Sequence, residues 1–228
     1  RQMCIRDSSR FDLMDERIIK SQKCINEGAA FLAGIEPRFE RALKVTGELP
    51  LRLRPEGFER LLGAIISQQV SVAAANAIWK RLVKANLNGP RKIMKARDDE
   101  LRAVGMSRQK VRYARALAEA RINFESLRYL STTEVVSRLT KVSGIGIWTA
   151  EIYTMFSLGR ADVFAAGDLA LQESGRILFG LNERPTEKEI RQMAESWSPW
   201  RAVAARLLWA YYAHAKSREG VGYYLVGK

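Results

Sequence analysis

Histidine is nearly absent from this chain of 228 residues: His214 is the single one, and cysteine occurs only as Cys4 and Cys24. That supply cannot build a four-cysteine iron–sulfur cluster or a cysteine–histidine zinc site. It gives no disulfide framework either, which fits a reducing compartment. Ser–His–Asp or Cys–His chemistry would have to run through His214 alone, so both are discounted. Long apolar runs are also missing. The most apolar stretch, Ala202 to Ala213, is cut by Arg206 and falls short of the ~18–20 residues that a membrane-spanning helix requires. Alternating strand patterns are scarce, with Tyr223 to Val226 the one candidate. Residues 1–10, RQMCIRDSSR, carry neither an initiator Met nor a signal-type apolar core, and are expected to be a non-native tail.

Acidic residues are outnumbered. Asp plus Glu number 25 against 38 Lys plus Arg, a formal net charge of +13. Such an excess predicts a polyanionic partner, either nucleic acid or an anionic membrane surface. With 47% hydrophobic residues the chain has ample core material and is not a disordered polycation.

What is present reads as helix after helix. Phe58, Leu61, Leu62, Ile65 and Ile66 form one apolar helical stripe. Ser131 with Glu134, and Thr186 with Glu189, have the spacing of capping boxes. Ser198-Pro199 predicts an N-cap and first helical residue, opening a helix to about Lys216 that is apolar nearly all round and so belongs in the interior. Breaks fall at Gly47 to Pro50, Asn88 to Pro90 and Ser143 to Gly146, with no low-complexity linker between them. The expected class is all-α.

The stretch Val142-Ser143-Gly144-Ile145-Gly146-Ile147-Trp148-Thr149 carries the most information. A capped helix ends near Leu139, glycines turn the chain, and a new helix begins at about Ile147. Uncovered backbone N–H groups at a helix start suit a phosphate. On two glycines alone, an ordinary helix–turn–helix connection is the better reading. A second basic element follows Leu101 to Ser107, where Arg108, Arg112 and Arg115 share a helical face with Lys110 beside them. For any one of these arginines a solvated surface is an equal alternative.

The whole string matches the helix-hairpin-helix pattern. Twenty residues after Trp148 stands Asp168, in Asp162-Val163-Phe164-Ala165-Ala166-Gly167-Asp168-Leu169. Together these resemble the helix-hairpin-helix base-excision DNA glycosylases, and within them the 3-methyladenine DNA glycosylase II family. The likeness extends from about Pro55 to Ala213 and includes Ser67-Gln68-Gln69-Val70-Ser71-Val72 and Trp197-Ser198-Pro199-Trp200-Arg201. The resemblance implies two helical lobes around an active cleft: 53–160 with the hairpin at about 131–158, and 161–228 packed with the N-terminal helices 11–52. It leaves no room before Phe11 for the extra β domain of the longest members.

It also implies a chemistry. Cleaving an N-glycosidic bond passes through an oxocarbenium-like state that one well-placed carboxylate can stabilise. Asp168 by itself reads as a helix N-cap; the resemblance makes it the catalytic aspartate. The family often has proline in this loop, where this chain has Ala165-Ala166-Gly167. Trp148 and Trp209 correspond to tryptophans of the base pocket, where aromatic faces attract cationic alkylated purines; core packing is the alternative for each. The family's pocket tyrosine falls at Ile152, with Tyr153 one position later. Gln69, with Gln68, is the candidate wedge that replaces the flipped base. Relatives with lyase activity carry a lysine just inside the second hairpin helix; here that segment is Ile147-Trp148-Thr149, which implies a monofunctional enzyme.

The resulting expectation is a monomeric, cytoplasmic (in a eukaryote, nuclear) glycosylase for alkylated purines in double-stranded DNA, without membrane partner or organic cofactor. The hairpin carbonyls would seat a monovalent cation. Two rivals remain open: the same fold acting on deaminated bases such as hypoxanthine or uracil, and a non-catalytic DNA-binding module. A helical domain for acidic membranes explains the charge but not the spacing from the hairpin to Asp168.

Overall fold

The computed structural model describes residues 16–218. Within that span the chain is helical, and its one β-like contact is an isolated bridge between Ile18 and Arg160. The tail at 1–10 and the strand expected at Tyr223 to Val226 lie outside the described residues. No helix among them is long and apolar enough to cross a membrane.

The helices run α1 (Gln22–Ile35), α2 (Pro37–Thr46), α3 (Phe58–Ser67), α4 (Val72–Lys84), α5 (Pro90–Lys95) and α6 (Asp98–Ala103). They continue as α7 (Arg108–Glu119), α8 (Thr132–Thr140), α9 (Ile147–Phe156), α10 (Leu169–Phe179), α11 (Glu187–Met193) and α12 (Arg201–Arg218). Local chemistry fixes several starts. Ser131 Oγ accepts from Glu134 N while Glu134 returns its carboxylate to Ser131 N, and Thr186 with Glu189 repeats the exchange. The stripe from Phe58 to Ile66 is buried throughout.

Two apolar clusters organise the chain. One joins Ile19, Ile25, Leu32 and Phe39 to Phe164, Trp197, Trp200 and α12. The other collects α3, α4 and the elements down to Leu158. Both draw on α9: Ala150 and Tyr153 belong to the second cluster, Met155 and Phe156 to the first. Arg160 sews the seam between them. Its side chain is buried, pairs with Glu16 at 2.7 Å, and donates to the carbonyls of Arg128 and Leu130.

The last helix departs from expectation at its start. It begins at Arg201, because Ser198 closes a 3-10 turn (Ala194–Trp197) and spends its hydroxyl on Asp162 Oδ2 at 2.8 Å. Arg201 grips the same carboxylate through two nitrogens, and the carbonyl of Trp200 receives the first helical N–H. The expected burial holds: Ala202 to Leu208 are all at most 1% exposed.

α1 lies close against α12 at Gly28, where a β-carbon would stand 2.7 Å from Val203 Cγ2 and 2.8 Å from Trp200 Cε3. Alanine there gains ~1 kcal/mol of helix propensity but overpacks two rigid neighbours at a cost of ~1–3 kcal/mol. Gly28→Ala is therefore expected to lower the melting temperature by a few degrees. A rise in a thermal melt would mean that α1 and α12 are not packed this closely.

Candidate active site

Asp168 is the N-cap of α10, with its Oδ1 accepting from the amides of Ala170 at 2.9 Å and Leu171 at 3.1 Å. The sequence pattern shows that much. What it does not show is that two indoles converge on the same carboxylate. Trp209 Nε1 donates to Oδ1 at 3.2 Å and Trp148 Nε1 to Oδ2 at 3.0 Å. Four N–H donors thus aim at one carboxylate and fix its orientation, and no basic side chain among the described residues is paired with it.

The loop before it is stiff without proline. Ala165 and Ala166 are fully buried, Asp168 N closes a turn on Ala165 O, and Gln172 Nε2 donates to Ala166 O at 2.8 Å. The two tryptophans then differ. Trp148 is 44% exposed and stands at the wall of a cleft of about 410 Å³ between α3, α4 and α9. Trp209 is buried, with its ring stacked on Phe156 at 5.8 Å, and it does not line that cleft. Its indole N–H is spent on the carboxylate. Arg206, one turn earlier, lies over the other aromatic of this stack, 4.7 Å from the Phe156 centroid, and donates to the carbonyls of Leu51 and Ala202. Burial pulls its guanidinium down to about 9. An arginine in so apolar a helix is the signal that sequence reading had in hand and used only as a break.

Ile152 and Tyr153 both line the cleft, with Thr149 beside them. Tyr153 is otherwise buried: its hydroxyl accepts from Gly57 N at 3.0 Å, and burial pushes the phenol up to about 12. The opposite wall carries Arg60, Ala64 and Ser67 of α3.

The hairpin is anchored by its apolar side chains and exposes its backbone. Val142 and Ile145 are buried, and Ile145 N closes the turn on Val142 O at 3.0 Å. Ser143, Gly146 and Ile147 face outward. Gly144 takes φ +93°, which glycine alone adopts readily, and sits against the Tyr113 ring. Its carbonyl accepts from Gln68 Nε2 at 2.9 Å. Each carbonyl keeps a second lone pair after one hydrogen bond.

Gln69 follows α3 with φ +55° and is exposed, a left-handed non-glycine residue at the tip of the turn. The expected basic face divides. Arg108 and Arg112 are exposed, but Lys110 is buried and Arg115 is engaged. Lys110 lies about 200° around the helix from Arg108 at 3.6 residues per turn. It therefore points inward, donates from Nζ to Ile66 O at 2.6 Å, and burial lowers its pKa. Arg115 has the right direction but curls onto Asp98 and the carbonyls of Ile93 and Ala96. Both act as staples, Lys110 on the end of α3 and Arg115 on the end of α5.

Sequence reading missed the Gln68 tie, Arg60 in the cleft and the pair Glu151–Arg191. Glu151, buried on α9, accepts from Arg191 Nη1 at 2.7 Å, and Arg191 also reaches Glu187. Burial pushes the Glu151 carboxyl up, opposed by the guanidinium.

The chain is similar to known proteins over most of its length. Residues 62–199 match the family described as HhH-GPD superfamily base excision DNA repair protein. DNA-3-methyladenine glycosylase 1 of Schizosaccharomyces pombe is 34% identical over 206 residues, spanning 85% of this chain and 89% of that protein. A solved structure of the S. pombe 3-methyladenine DNA glycosylase in complex with abasic DNA superposes with a TM-score of 0.70 at 33% identity, covering 80% of this chain and 95% of that one. The DNA-3-methyladenine glycosidase of Bacillus halodurans gives a TM-score of 0.74 at 32% identity, over 91% and 96% of the two chains.

Proposed function

The chain belongs to the HhH-GPD superfamily of base excision DNA repair proteins, and from that premise we propose that it hydrolyses the N-glycosidic bond of alkylated purines in double-stranded DNA, with Asp168 as its catalytic carboxylate. The observation that carries the reading is the convergence of Trp148 and Trp209 on Asp168, with Trp148 also forming the wall of the cleft. A damaged base that leaves the stack can lie against Trp148 with its sugar at the carboxylate. As the glycosidic bond breaks, its electron pair departs with the base and positive charge grows on the sugar ring. Asp168 stabilises that charge, water adds at C1′, and a proton is released. A cationic 3-methyladenine or 7-methylguanine leaves as a neutral base, so an aromatic face suffices to hold it.

The hairpin would grip the phosphate through the N–H groups that open α9, which have no partner among the described residues. Gln69 would fill the gap in the stack. We read residues 53–160 as the gripping lobe and 161–228 as the lobe that brings the carboxylate, in a protein acting as a monomer. The segment Ile147 to Thr149 offers no amine to the sugar, so the product is an intact abasic strand.

The test is base release from methylated duplex DNA, scored with and without alkali. Free 3-methyladenine and 7-methylguanine should appear, with strand breaks only after alkali. Breaks without alkali would overturn the monofunctional assignment, and no released base would overturn the enzyme.

A further inference from the structure

Glu151 has no task in this mechanism and does not line the cleft, yet it is a buried acid close behind the site. It stands three positions after Trp148 on α9, which puts the two side chains on one side of the helix. Its Oε1 accepts from Arg191 Nη1 at 2.7 Å, and its buried Oε2 has no hydrogen-bond partner among the described residues. Arg191 passes the link on, donating from Nη2 to Glu187 Oε1 at 3.0 Å. Glu187 in turn borders the residue before Asp168: a β-carbon on Gly167 would lie 3.4 Å from Glu187 Oε2 and 3.9 Å from Trp148 Cβ. Helix α11, which carries Glu187 and Arg191, is itself seated on α10, where a β-carbon on Gly175 would stand 3.1 Å from Ile190 Cδ1. Apolar packing joins α9 to the cluster of Leu171 and Ile190 from Ile152 onward. Ahead of that point, next to the turn of Trp148, the chain Glu151–Arg191–Glu187 makes the crossing.

We propose that Glu151 and Arg191 are positioning residues for base release, which hold the first turn of α9 against the Asp168 turn so that Trp148 Nε1 meets Asp168 Oδ2. Stability is a poor reason for keeping this pair. Taking a carboxylate out of water offsets most of what its partner returns, and an orphaned oxygen adds to the cost. Geometry is a better reason. The Trp148–Asp168 bond, at 3.0 Å, has little slack, because beyond about 3.5 Å it is no longer a hydrogen bond. The Trp148 ring is exposed over much of its surface, so packing covers only part of it. A misplacement of about 1 Å at a reacting group is enough to cost about 100-fold in rate. Neither Glu151 nor Arg191 lines the cleft, so each acts through Trp148 and Asp168.

The test compares wild type with Glu151→Gln, Arg191→Met and Arg191→Lys. Three quantities are read: single-turnover release of 7-methylguanine at saturating protein, affinity for the same duplex, and the indole N–H resonances in a proton–nitrogen NMR spectrum. Trp148→Phe identifies the resonance of Trp148. We expect Glu151→Gln and Arg191→Met to slow release about tenfold or more, with affinity kept within about twofold. The Trp148 resonance should move toward its position in Asp168→Asn, and Arg191→Lys, which keeps the charge, should recover part of the rate. In a Trp148→Phe background Glu151→Gln should add less than about twofold, since the two changes remove one contact. A lower melting temperature with rate and resonance unchanged would make the pair structural only and overturn the proposal. So would full additivity with Trp148→Phe, or a loss of affinity confined to the Arg191 variants, which would mark a phosphate contact. Where Glu151→Gln does not fold, Arg191→Lys against Arg191→Met decides the matter. The proposal rests on the glycosylase reading. Were that reading wrong, wild type would release no base while the Trp148 resonance still reported the brace; were the brace wrong, wild type would be active and its variants would match it.

Discussion

Asp168→Asn is expected to lower base release by at least about 100-fold, the scale lost when one preorganised charge-stabilising group is removed, while the protein keeps its fold. The two halves of that result have separate causes. Asparagine is as good an N-cap as aspartate, so its oxygen can keep the amides of Ala170 and Leu171 and α10 stays anchored. Its nitrogen must then occupy the Oδ2 position, where Trp148 Nε1 points a second donor at it from 3.0 Å. Donor meets donor, Trp148 swings away, and no negative charge faces the sugar. Base release with a matched thermal melt checks it. A variant that retains most of its turnover would remove Asp168 from the chemistry, and a collapse in melting temperature would assign it to the fold.

The second large effect is expected at the hairpin. An alanine at Gly144 would place its β-carbon 2.3 Å from Tyr113 Cγ and 2.6 Å from Tyr113 Cβ, at φ +93°. The ring cannot retreat easily, because Tyr113 is hydrogen-bonded through its hydroxyl to Gln109 and stands on α7. Overpacking of this kind costs ~1–3 kcal/mol, and the positive φ adds ~1 kcal/mol or more. The displaced turn also carries the Gln68 contact with it. Gly144→Ala should therefore lose stability and bind abasic duplex at least about tenfold more weakly, the effect of ~1.4 kcal/mol. Combining it with Tyr113→Ala removes the contact with the ring but keeps the 2.6 Å contact with the Tyr113 Cβ and the backbone strain, so only a partial recovery is expected. Full binding by the single variant would mean that the hairpin does not hold DNA by this turn.

The fold was largely legible before any coordinates, because helices announce themselves locally. The stripe from Phe58 to Ile66 and the boxes at Ser131 and Thr186 need only neighbours within two turns. Ser198 misled for the same reason: its local context promises a cap, and Asp162, thirty-six residues earlier, takes the hydroxyl. At the site, the contacts that join Trp148 and Trp209 to Asp168 had no local signal. Trp209 was named for the base pocket; its bond to Asp168 and its stack on Phe156 involve partners remote in sequence. Lys110 was read as surface because charge suggests it, and the carbonyl of Ile66 draws it inside.

Helix α9 belongs to both apolar clusters, with Tyr153 in one and Met155 and Phe156 in the other. In mechanical terms it is a beam shared by two walls. Rotating one cluster against the other would disturb packing along a single ten-residue helix. The two clusters are thereby coupled through one helix, so a change of packing at Tyr153 is felt within one turn at Met155 and Phe156.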